Sequence, residues 1–69
     1  MENALEMVER HIAGGNRHIA QQVARIAKLE ALGLDTYSAE TLMTILRQSQ
    51  RLHIEHRDRI LREANAQRP

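Results

Sequence analysis

From Leu5 to Leu29 the residues Leu5, Val8, Ile12, Gly15, Ile19, Gln22, Ile26 and Leu29 recur at alternating steps of three and four. That interval is a heptad seam, the spacing at which one stripe of an α-helix keeps facing the same neighbour. A strand cannot use it, because a strand repeats every two residues. The tetrapeptide Arg-His-Ile-Ala, which occurs at 10–13 and again at 17–20, belongs to this seam. RHIAGGN, RHIAQQV and ARIAKLE are three heptads in register, with Ile12, Ile19 and Ile26 as the repeated core position. The repeat is therefore first a packing signal.

The rest of the chain agrees with helix. Tyr37 is the sole aromatic, and Ala, Leu, Ile, Glu, Arg and Gln dominate, a composition that favours helix over strand. The stretch ALGLD should end the first helix, with Gly33 in the left-handed conformation and Leu34 folding back on Leu29. Asp35, Thr36 and Ser38 are alternative N-caps for a second helix. Beyond them Leu42, Ile45, Leu46, Ser49, Leu52, His53, His56, Ile60 and Ala64 form a stripe at helical spacing. The reading is all-α: a single unit over 1–69, with helix 1 at about 3–32, a loop at about 33–37 and helix 2 at about 38–65, before Pro69 and fraying. So short a connection makes the helices antiparallel, a hairpin with arms of roughly 40 to 45 Å. Folding about Leu34 brings Glu2, Glu6 and Glu9 alongside Arg57, Arg59 and Arg62, and both groups suit the helix dipoles.

A bare hairpin buries little surface, because each helix has one neighbour. The apolar stripes here are also wider than one partner helix covers: Val23 and Ala27 widen the first, and Met43 and Leu61 the second. The expected completion is a homodimer forming a four-helix bundle, with a tetramer as the next choice. Its interface and core would draw on Leu5, Val8, Ile12, Gly15, Ile19, Val23, Ile26, Leu42, Leu46, Ser49, Leu52, His53, His56 and Ile60.

Gly14 and Gly15 disagree locally with a helix, since each costs a helix interior about 1 kcal/mol relative to Ala. Either the helix breaks there, or it continues and Gly15 lets a backbone or the bulky His53 come close. No strand precedes the glycines and no Gly-Lys-Ser/Thr follows, which excludes a phosphate loop. His53 and His56, spaced i, i+3, read as a polar layer with Ser49 and Gln22 that sets register. His11 and His18 lie about 10 Å apart along the axis and read as boundary residues flanking the seam. No metal site is expected: two histidines lack a third ligand, and the chain has no Glu-x-x-His. No cofactor and no catalytic set are expected either, since no nucleophile, base and orienting acid assemble on a straight hairpin.

The lack of cysteine and of any span of ~20 apolar residues points to a cytoplasmic protein with no membrane contact. The role that fits is a small self-associating interaction or regulatory module, without catalysis, whose other partner would be a protein. The alternative is an RNA-binding hairpin dimer that uses Arg10, Asn16, Arg17, Gln21, Arg25 and Lys28 on phosphates and 2′-hydroxyls by shape. A net charge of +1, interleaved acids and the lone aromatic count against nucleic acid.

The segments ERHIAGGNRHIA, IAKLEALGLDTYSAETL and LHIEHRDRIL, over roughly residues 9 to 61, together resemble a group of very small, largely uncharacterised bacterial helical-hairpin proteins. In that group an Arg/His-rich first helix leads through a Gly-x-Asp-Thr loop to a second helix ending in His-x-x-His-Arg-Asp-Arg. The resemblance is carried by Gly33, Asp35 and Thr36, and by His53, His56, Arg57, Asp58 and Arg59. The Gly14-Gly15 pair departs from it, at a site that usually holds a polar residue. It implies the hairpin fold and no activity.

Overall fold

Asn3 starts the first helix. In the computed structural model, which describes residues 1–67, its side-chain Oδ1 accepts the backbone N–H of Glu6 at 2.8 Å, and its carbonyl accepts from Met7. This is an N-cap that satisfies an otherwise orphaned donor, with the Glu6 carboxylate in the positive first turn. Helix α1 then runs Ala4–Ala31 without interruption. Gly14 and Gly15 do not break it; the seam on either side carries the helix across them.

The C-terminus of α1 is a Schellman motif. Gly33 has φ 69°, its N–H donates to the Glu30 carbonyl, and the N–H of Leu34 donates to the Leu29 carbonyl. The chain is thereby turned within five residues, 32–36, and α2 occupies Tyr37–Ala66. Thr36 holds the N-cap position but makes no side-chain cap bond. The neighbouring Asp35 acts instead, its Oδ1 accepting from the Tyr37 N–H at 2.9 Å. Arg68 and Pro69, where fraying is expected, lie outside the described residues.

The described residues contain the two helices packed against each other and no strand. The molecule measures 59 × 20 × 13 Å. Because a helix with its side chains is about 10–12 Å across, this is a rod two helices wide and one helix thick. Both broad sides of the hairpin are open. Its fully buried apolar core is accordingly small: Val8, only 2% exposed, with Ala39 and Met43.

On α1 the facing row is the heptad seam, with Val8 and Gln22 buried and Leu5, Ile12, Gly15, Ile19, Ile26 and Leu29 half-buried. On α2 the facing row is Ala39, Met43, Leu46, Gln50, His53, Arg57 and Ile60. This corrects the sequence expectation for α2. Leu46, His53 and Ile60 do face α1, whereas Leu42, Ile45, Ser49, Leu52 and His56 are exposed. The helix is rotated so that Gln50, rather than a leucine, meets α1 at Gly15. The expected ion pairs between the helices are also absent among the described residues. Glu2 instead folds along its own helix onto Arg10 at 2.8 Å, and Arg57 pairs with its neighbour Asp58 at 3.2 Å.

Candidate functional site

Two glutamines tie the helices together. The Gln50 amide nitrogen donates to the Ile12 carbonyl and to Asn16 Oδ1, both at 2.8 Å. From the other helix, the Gln22 amide donates to the Ala39 carbonyl at 2.8 Å. Each side chain is 6% exposed. Buried polar groups require partners, and here each amide nitrogen finds one on the opposite backbone. The pairing therefore holds only in this register.

Gly15 makes the first clamp fit. A Cβ at that position would overlap the Gln50 amide, falling 2.7 Å from its Cδ. Of the polar layer read from the sequence, Gln22 does bridge the helices, whereas Ser49 and His56 are exposed and the second bridge is made by Gln50. Gln50, and not His53, is the bulky group that closes on the glycine. Gln50 Oε1 and His53 Nδ1 are buried without a hydrogen-bond partner. The His53 ring lies 5.4 Å from that of His11, tilted by 38°.

With the seam fixed, helical geometry sorts the remaining residues onto two broad sides. Side chains three, four or seven positions apart share a side. Val23, with Ile26, Met43, Glu40, Thr44 and Arg47, lines a groove on one of them. By helical spacing Ala20 and Ala27 flank Val23 there, Ala13 lies one heptad before Ala20, and Ile54 continues the surface along α2 beside Ile19. We call this the alanine side. The other, the histidine side, carries a groove of about 540 Å³ lined by Arg10, His11, Gly14, Arg17, His18, Leu46, Ser49 and His53. It continues past Gln21, Arg25 and Leu42 to Leu29, Ser38 and Asp35.

The residues expected at the oligomer interface divide between these places. Leu5, Val8, Ile12, Gly15, Ile19, Ile26, Leu46, His53 and Ile60 are in or beside the seam, Val23 is exposed on the alanine side, and Leu42, Ser49, Leu52 and His56 are exposed on the histidine side. A single two-fold interface can take one outer set and not both. Of the residues read as RNA contacts, Arg17, Gln21, Arg25 and Lys28 lie along the histidine side and its edge. Arg10 is held by Glu2, and Asn16 is engaged by Gln50.

The hydrogen bond from Arg10 holds the Glu2 carboxyl below the usual glutamate range, and the same contact raises the Arg10 guanidinium. No group of three or more His, Cys, Asp or Glu that could hold a metal ion occurs among the described residues. None of the described helices is long and apolar enough to cross a membrane. No family model matches the chain, and neither a curated protein nor a solved structure matches it.

The residue that sequence reasoning missed is Gln50. A signal for it existed: Met43, Gln50 and Arg57 are spaced by seven, as are Ala39, Leu46, His53 and Ile60. Together these make a heptad seam as strict as that of α1, though a less apolar one.

Proposed function

We infer that this chain is a self-associating helical interaction module, which acts by binding and is completed by a second copy packed on its alanine side. The observation that carries this is surface. A compact protein of 7.9 kDa exposes about 4400 Å², whereas the hairpin exposes 5579 Å². The excess of roughly 1200 Å² is close to what each partner of an obligate homodimer buries.

The alanine side suits a second copy. From Ala13 to Ala27 it carries Asn16, Ala20 and Val23 and no charge on α1, and the half-buried Ile12, Ile19 and Ile26 stand next to it. Small residues allow close approach of a facing helix. The charged residues of its grooves are of both signs, Glu40 with Arg47 and Glu55 with Arg51, as a self-complementary contact requires. Two hairpins so joined form a four-helix bundle with helices about 20° from antiparallel. The cysteine-free composition suits a reducing compartment, and we place the module in the cytoplasm.

Light scattering across a micromolar dilution series is expected to give twice the chain mass, and Val23→Arg is expected to halve it with helicity retained. Ile19→Asp should monomerise or unfold the protein, because it puts an unpaired charge in the centre of the seam. A wild-type chain that is monomeric and fully helical at micromolar concentration overturns the reading.

A further inference from the structure

We propose that the histidine side is a docking groove for an acidic amphipathic helix of another protein. The inference goes beyond self-association and depends on it only in leaving this side uncovered. The grooves here collect Arg17, Arg25, His11, His18 and His53, and the first carboxylate along them is Asp35, at the loop end. His56, one heptad beyond Ser49, completes the set, so all four histidines of the chain share one side. Among the described residues, Arg17 and Arg25 have no ion-pair partner. A second copy turned onto this side would bring only its loop-end Asp35, whereas a partner with carboxylates along its length would meet both guanidiniums.

The shape and the apolar content define the partner further. The groove follows α1 from His11 to Leu29, roughly 27 Å at 1.5 Å per residue, or about five turns of an incoming helix. Leu42 and Leu46 line its α2 wall, and Leu42 is 43% exposed. A helix laid between α1 and α2 covers these residues with its apolar stripe while its acidic flank faces the guanidiniums. A nucleic acid would leave the leucines uncovered, and it would find no aromatic to stack on, since Tyr37 does not line these grooves. A flat bilayer surface would leave Leu42 and Leu46, which lie in the trough, uncovered.

The test uses full-length protein and a labelled synthetic peptide of about three heptads, with leucine at a and d and glutamate at e and g. The expected result by fluorescence anisotropy is saturable binding of one peptide per chain. It should weaken at least about tenfold in Arg17→Glu with Arg25→Glu, and less than about twofold in Gln48→Glu with Arg62→Glu on the outer edge of α2. Circular dichroism confirms that both variants remain folded. The proposal is overturned by absence of saturable binding or by equal loss in both variants. It is equally overturned if the lysine version of the peptide, a single-stranded RNA or phosphatidylglycerol vesicles bind more tightly than the glutamate peptide. Light scattering of the same samples separates the two readings: a monomer that binds the peptide removes self-association and keeps the groove, and a dimer that does not bind removes the groove alone.

Discussion

Adding one methyl group at position 14 and one at position 15 has opposite consequences. At Gly14 the nearest atom outside the local backbone is the Arg17 guanidinium at 3.7 Å, an ordinary contact. Gly14→Ala should therefore collect the helix-propensity gain alone, about 0.5–1 kcal/mol. At Gly15 the same gain is offset by displacement of the Gln50 amide from Ile12 and Asn16. A buried amide that loses its partners costs about 1–3 kcal/mol, so Gly15→Ala should lower the melting temperature. In a Gln50→Ala background, where nothing occupies the space, Gly15→Ala should raise it. Melting curves of the single and double variants at one fixed protein concentration check both signs; additive effects would mean that the two residues do not meet.

The pair at the start of α1 offers a titration instead. Because the Arg10 hydrogen bond depresses the Glu2 carboxyl in the folded chain, its contribution to stability is present above the unfolded glutamate value, ~4.3. It is lost as pH falls through the lowered folded value. The pair is exposed, so the contribution is small, but the titration itself is measurable. By NMR the Glu2 midpoint should lie below that of an unpaired glutamate and return to the ordinary range in Arg10→Gln. An unchanged midpoint in that variant would show that the contact does not form.

For whole helices, the informative comparison is between α1, whose facing row was legible in the sequence, and α2, whose row was not. In α1 six of the eight seam positions are branched aliphatics, so hydrophobicity and geometry name the same row. In α2 they disagree. The facing row contains Gln50 and Arg57, while Leu42, Ile45 and Leu52 stand outside it. Reading leucine as core and glutamine as surface therefore rotated the helix away from its true seam. What decides the rotation is the fit between a missing side chain on α1 and an amide on α2, which hydrophobicity does not record. The candidate surfaces were hidden for the same reason, since a side of the hairpin is defined only once both seams are fixed. The turn was legible because its requirement is local: Gly33 has φ 69°. Gly33→Ala should cost about 1–2 kcal/mol, and Gly33→Asn less. Asn3→Ala should cost about 1 kcal/mol through loss of the cap. Chemical denaturation with an unchanged m-value would confirm that both act on stability alone.

Taken as one body, the hairpin is 13 Å thick, and a rod of that thickness shields few of its peptide bonds. Every turn of both helices lies one side chain from water on its broad sides, so local opening to a protease needs little free energy. Covering the alanine side with a second copy should close off half of that access, and the melting temperature should rise with protein concentration as mass action requires. Cleavage should follow the same dependence in reverse. A short thermolysin pulse across a dilution series is expected to cut each chain faster as the sample is diluted through the dimer midpoint, and a rate independent of concentration would break the connection. The biological corollary concerns turnover. If the proposed pairing holds, a chain made in small amounts would be cleared while single and one made in excess would persist as pairs, so that a slender rod of this kind would convert its own rate of synthesis into its lifespan.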